Sequence, residues 1–393
     1  MAPDLDRHIA ITGIGAIGSF GIGVDALWSH LDADRLDFKP CSRYQSKLLC
    51  AEAAKPNLRR LLRSSQLSRS PLVSQFAIVA VHLALEQAGI AADMRGSGQS
   101  MGLVYGTSNG PGAATQEIYD DLIERGPASV KPRVFQESVF NAPASLVSIH
   151  FGLKGPVQSL ASGCCGHSVL YQAQMLLARP EVGAVIALCS DELCEATQSA
   201  LRVLRWQAAA SPVGGSPAAK NRGAISSEGA AALVLEPTDF ALTRGGIPLA
   251  ELAGAGFSND AWQLAYPAED GRGLAAAMTA CLEDSDALPG DIDIILSATA
   301  NTDVDDRLET AAIRSVFGDS IPMVATTKTN IGHAMGAATM LDTVLATEII
   351  RRDKVPGSLD CDGAFAAGID AALCSGISLN GLFGAALVRR NSW

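Results

Sequence analysis

No stretch of this sequence stays apolar for the roughly 20 residues that a helix needs to cross a bilayer, so no membrane partner is expected. Its nine cysteines (41, 50, 164, 165, 189, 194, 281, 361 and 374) show no repeated CxxC spacing and are odd in number. That pattern points to neither a zinc cage nor a disulfide framework, and favours a reducing compartment. An excess of positive charge is missing too. The 30 Lys and Arg against 41 Asp and Glu leave a formal charge of −11, which argues against nucleic acid as the main partner. The opening MAPDLDRH runs into IAITGIGAIG without a basic region, a long apolar stretch and a cleavage site, so the protein is expected in the cytoplasm. Neither GIGAIGSFG nor GTSNGPG carries a Walker lysine or a full dinucleotide fingerprint, so no nucleotide, metal or other cofactor is expected.

What is present is apolar and small. Hydrophobic residues make up 48% and glycines number 38, a composition that suits close packing of helices on sheets. Strand-like runs occur at 9–18, 101–107, 182–190, 229–236, 292–299, 322–327 and 384–390. Helix-spaced apolar residues follow Cys164 (Val169, Leu170, Ala173, Leu176, Leu177) and His333 (Met340, Leu341, Val344, Leu345, Ile349). Strands alternating with helices predict an α/β fold with buried sheets. Residues 1–240 and 241–393 each contain a strand, a Gly-rich turn with a Cys or His, and a helix opening on small residues. The Ala-, Gly-, Pro- and Ser-rich stretch 207–228 reads as a loop.

SLASGCCGHSVLYQAQMLL puts two cysteines on a Gly-flanked turn just before an amphipathic helix. A thiolate there would be stabilised by unpaired backbone amides and the helix dipole, which predicts a lowered pKa for Cys164. The backbone N–H of Cys164 could also serve a tetrahedral oxyanion. The other cysteines outside this turn read as inert core residues.

In its ordered motifs the chain resembles the β-ketoacyl-acyl-carrier-protein synthases, thiolase-fold condensing enzymes, nearly end to end. The blocks are ITGIGAIGSFGIGVDALW, NAPASLVSIHFGLKGPVQSLASGCCG, VGAVIALCSDE, ISSEGAAALVLE, DRLET, TTKTNIGHAMGAA and LNGLFGAA. The resemblance implies two duplicated halves in an αβαβα arrangement with mixed sheets and buried central helices. It makes Cys164 the nucleophile and His333 the second histidine of a Cys-His-His triad. It also makes Lys328 the active-site lysine and Glu309 its partner, either as a buried ion pair fixing a loop or in proton transfer. A neutral His333 donating from Nε2 would stabilise the enolate left when a malonyl group loses carbon dioxide.

The first triad histidine is absent. Where the family has H-G-T-x-T this chain reads SATANTDVDD, with Thr299 at the histidine position and Asn301 and Asp303 replacing threonines that touch the pantetheine arm. The gating Phe region reads Leu382-Phe383, and His167 is expected to be structural or to line a channel. Two functions stay open on this resemblance: an acyltransferase loaded by acyl carrier protein, or a chain-length-factor-like subunit of a ketosynthase heterodimer. A thiolase using free coenzyme A fits the blocks less well. A two-fold dimer, homo- or heteromeric, is implied. Lys55, Arg59, Arg60, Arg63 and Arg69 form a basic island that reads either as a solvated helix face or as a docking site for an acidic carrier protein.

Overall fold

The computed structural model describes residues 8–44, 48–62, 67–91, 101–207, 223–263, 266–359 and 368–391. The first half supplies strands β1 (Ile9–Gly18), β2 (Met101–Thr107), β3 (Val157–Ala161), β4 (Ala184–Asp191) and β5 (Gly229–Pro237). The second supplies β6 (Ala250–Asn259), β7 (Ile294–Leu296), β8 (Met323–Ala325), β9 (Ala371–Ile377) and β10 (Leu382–Arg389). Along the sheet the order is β3-β2-β4-β5-β1-β6-β10-β9-β7-β8. Each half therefore runs third, second, fourth, fifth, first, with the same parallel and antiparallel pairings. The expected duplication is explicit in this topology, and a short antiparallel ladder between β1 and β6 (Ile9 with Leu252, Ile11 with Ala250) joins the copies.

The helices that position the site are α1 (Leu72–Gln87), α2 (Ala142–Phe151), α3 (Cys165–Leu177), α4 (Arg272–Asp284), α5 (Asp303–Phe317), α6 (Lys328–Ile331) and α7 (Ala338–Arg352). α3 and α7 are equivalent, each following the third strand of its half. α3 packs on β2 and β4 and on β6 and β10 of the other half, while α7 packs on β9 and β10 and on β1 and β5. α1 covers the outer face of the first half and α4 that of the second, which gives the five αβαβα layers of a thiolase-like fold. A helix pressed between two sheets cannot keep a polar face, and residues 338–350 of α7 are accordingly buried without interruption.

The central layer is tight because small residues line it. A Cβ on Gly166 would meet the Thr339 side chain at 2.8 Å, so α3 and α7 cross where only glycine fits. Cβ atoms on Gly376 and Gly384 would lie 2.2 and 2.3 Å from the His167 ring. His167 is therefore a structural residue, with its Nε2 3.1 Å from the Cys374 carbonyl oxygen. The same smallness hid three strands from the sequence. VQSLA, AELAGAGFSN and AALCSGI (β3, β6 and β9) are poor in the bulky β-branched and aromatic residues that mark strands.

Burial pushes the His167 imidazole down to about 4. The unfolded chain protonates the ring near 6.5, so folding stability is complete above that pH and falls as pH drops toward 4, by up to about 1.4 kcal/mol per pH unit. Urea unfolding between pH 7 and 4 should show this acid limb, and His167→Gln should flatten it; an unchanged slope in the variant would assign the limb to other groups.

Candidate active site

The nucleophile position is built by the end of β3 and the start of α3. Cys164 sits at the N-cap of α3 and is 5% exposed, with its Sγ 3.0 Å from the Leu382 carbonyl oxygen. Here the expectation of a low pKa fails. Burial, with the neighbouring Cys165 adding to it, pushes the Cys164 thiol well above its ordinary value. Desolvation outweighs the helix terminus because, among the described residues, no cation faces the sulfur to compensate. The resting group is a neutral thiol that donates to a carbonyl.

His333 enters from the second half, on the turn between α6 and α7. Its backbone is bridged to the first half, donating to Ile225 O at 2.7 Å and accepting from Ser227 N at 2.9 Å. The Met335 amide donates to Nδ1 at 3.2 Å, which leaves the ring proton on Nε2. Burial, then the positive charge of Lys328, pushes the imidazole down to about 3, so it is neutral at physiological pH. The Met335 contact and the burial of the ring both favour the neutral form with its proton on Nε2.

Lys328 and Glu309 do not pair. Lys328 Nζ donates to the Ser297 carbonyl at 2.6 Å and to Asp342 on α7. Glu309 instead accepts from the Ser297 and Ser375 hydroxyls and from the Ala298 amide at 3.0 Å. The reason is positional: Lys328 opens α6 toward α7, whereas α5 carries Glu309 to the end of β7. The two residues hold Ser297 through different atoms.

Three further expectations also move. Thr299 turns its hydroxyl to Ser297, 2.9 Å away, and Ala298 borders the pocket beside His333. Asn301 adopts a left-handed backbone (φ 64°) and Asp303 is exposed at the start of α5, both outside the pocket wall. Phe383 is fully buried against Gly273 of α4, because strand alternation turns it to the outer face of β10. The wall beside Cys164 is made by the turn Ile377 to Asn380, and Leu382 contributes its carbonyl.

The pocket has a volume of about 370 Å³, and Gly163, His333, Trp206, Asn109 and Asp305 are among its walls. A larger cleft of about 540 Å³, lined by Arg43, Glu117 and Lys131, includes neither Cys164 nor His333. Sequence reasoning missed Asp305 and Trp206. The helical period held a signal, since Asp305, Leu308, Glu309 and Ala312 form the buried stripe of α5. Asp191, at the end of β4, was also missed. Its carboxylate accepts from Thr107 Oγ1 (2.7 Å), Ser108 N (2.8 Å), Asn109 N (2.9 Å) and Gly336 N (2.7 Å).

A cysteine stands at the head of one buried central helix and a histidine before its duplicate, within a thiolase-like fold. The models of the β-ketoacyl synthase N-terminal and C-terminal domains match residues 6–241 and 249–362. The chain is 28% identical over 369 residues to 3-oxoacyl-[acyl-carrier-protein] synthase 2 of Coxiella burnetii, covering 91% of this chain and 89% of that protein. It is 31% identical over 371 residues to nodulation protein E of Rhizobium leguminosarum bv. trifolii, covering 90% and 88%. Among solved structures, the ishigamide ketosynthase/chain length factor superposes with a TM-score of 0.87 at 23% identity, over 98% of this chain and 100% of that one. The chain belongs to the β-ketoacyl synthase family.

Asp342→Asn would leave the Lys328 ammonium buried without a counter-ion, which should cost about 3–5 kcal/mol of unfolding free energy in urea titration. Glu309→Gln keeps the Lys328 pair and should cost less. Equal losses would contradict the separation of the two groups.

Proposed function

We propose that this chain takes an acyl group from acyl carrier protein onto Cys164 and passes it on, by decarboxylative condensation with a malonyl-type extender or by transfer without elongation, in fatty acid or polyketide biosynthesis. The observation that carries the reading is the convergence of Gly163, the residue before Cys164, and His333, from opposite halves, on one pocket. Loading forms the bond from Cys164 Sγ to the thioester carbon and breaks the bond to the carrier's phosphopantetheine sulfur. The thiol proton goes to that departing thiolate. His333 Nε2–H supplies a donor for the carbonyl oxygen, which gains charge in each transition state.

Condensation is the weaker half. Residues 297–303 hold no histidine, and loss of one such electrophilic group lowers a rate by about 10²–10⁴-fold. That same observation supports a second reading, a chain-length-factor-like subunit beside an active ketosynthase. Either reading calls for a dimer. The edge strand β3 has alternating exposed residues, and Phe135, Phe140, Ile149 and Val157 are exposed, which suits pairing of this sheet edge with a second subunit. Lys55, Arg59, Arg60 and Arg69 are exposed and suit an acidic carrier protein; Arg63 lies outside the described residues.

Incubation with acyl-loaded carrier protein should add one acyl mass to the wild type and to Cys165→Ala, and none to Cys164→Ala. A wild type that stays unmodified under conditions that load an ordinary ketosynthase would exclude the catalytic reading for the isolated chain and leave the subunit reading. Arg59→Glu with Arg60→Glu should weaken carrier binding at low salt by at least about 10-fold, with less effect at high salt; unchanged affinity would remove the docking face.

A further inference from the structure

The pocket lacks the family histidine and holds a carboxylate. Asp305, on the first turn of α5, is 5% exposed and shares the pocket wall with Gly163 and His333. Building on acylation of Cys164, we propose that Asp305 is the general base of the second half-reaction, in which the acyl group passes from Cys164 to a neutral hydroxyl acceptor instead of a malonyl carbanion.

Charge is the first argument. Among its described lining residues the pocket has no lysine or arginine, so a malonyl carboxylate would approach a buried carboxylate with no cation to receive it. An alcohol brings no charge, and its proton has a nearby acceptor. Orientation is the second. The Asp305 amide donates to Thr302 Oγ1 at 3.1 Å, which fixes the first turn of α5, and the Trp206 ring on the same pocket wall stands edge-on to His333 at 5.0 Å. A carboxylate there has about four lone-pair sites with which to accept a proton. The third is an unpaired donor: Asn109 lines the same pocket, and its buried Nδ2 has no hydrogen-bond partner among the described residues. With His333 Nε2–H it provides two donors for the acyl carbonyl oxygen as it becomes an oxyanion.

The step balances within these groups. The acceptor's O–H proton moves to the Asp305 carboxylate, its oxygen bonds to the thioester carbon, and the C–S bond to Cys164 breaks. The Cys164 thiolate then recovers the proton from Asp305, leaving an ester and the starting enzyme. Titration agrees with the role. Burial pushes the Asp305 carboxyl up to about 6, with Glu309 and Asp306 acting the same way and the Thr302 and Trp206 hydrogen bonds opposing it. Across Trp206 the facing titratable group is His333, which is neutral. The basic form is thus the majority at neutral pH and is lost below about 6.

The test loads Cys164 of the full chain with a hexanoyl N-acetylcysteamine thioester, so that it does not depend on carrier docking. After removal of the reagent, 1-butanol is added, and butyl hexanoate and intact mass are followed from pH 5 to 8. Wild type should form the ester with a rate that rises through about pH 6 and levels off. Asp305→Asn should acylate normally yet transfer about 100-fold more slowly and without pH dependence, and Asp305→Glu should recover part of the rate. Wild-type transfer by Asp305→Asn overturns the proposal, as does acyl-Cys164 that malonyl-loaded carrier protein discharges and butanol does not. Should Asp305→Asn fail to acylate, a flat wild-type pH profile is the overturning result. Loading by the small thioester but not by carrier protein sinks the carrier reading alone, whereas no adduct from either sinks both.

Discussion

The arrangement of the site hangs on one carboxylate, that of Asp191. It sits fully buried at the end of β4, where burial pushes its pKa up and four hydrogen bonds oppose the shift. Three of those donors belong to the last residue of β2 and the turn after it, and the fourth is the Gly336 amide, on the turn that carries His333. A single group therefore ties the first half of the chain to the second within three residues of His333. A Cβ on Gly336 would lie 2.6 Å from Asp191 Oδ2 and 2.4 Å from Cys165 Sγ, so the turn can approach this closely only as glycine. The loss of any one donor would leave a buried acceptor short of partners, which is costlier than the net value of the bond.

Close packing also sets the protonation states. The layers that exclude water from Cys164 and His333 push the thiol up and the imidazole down, so both rest uncharged. In that state the histidine is a donor suited to a carbonyl, and the cysteine becomes a nucleophile only as its proton leaves with the attacked thioester. A thiolate poised in advance would need a cation, and Lys328 is held by Asp342. The buried pair Lys328–Asp342 thus joins α6 to α7 and leaves the chemistry to neutral groups.

Among the described residues that line the pocket, Asp305 is the one carboxylate. On the loop after β7 this chain has Thr299 where the resemblance places a histidine, and the first turn of α5, just beyond, brings the Asp305 carboxylate to the pocket wall. That exchange reverses the electrostatic preference of the pocket from an anionic extender toward an uncharged partner, with the fold, the nucleophile and His333 unchanged.

Local order and motif spacing were legible in the amino-acid sequence. The strands at 9–18, 101–107 and 229–237, the helices after Cys164 and His333, and the nucleophile turn all follow from period and composition, because each depends on residues near one another in the chain. Side-chain partners separated by long loops were not legible. Lys328 meets Asp342 rather than Glu309, Phe383 faces the outer core rather than the pocket, and Asp305 rather than Asp303 points inward. The pKa of Cys164 inverted for the same reason: the helix terminus is a local feature, whereas desolvation is imposed by two sheets closing on α3 from opposite halves. Sequence determined which elements form and which residues could react; only the tertiary structure decided what each faces, because burial and pairing are properties of the packed whole.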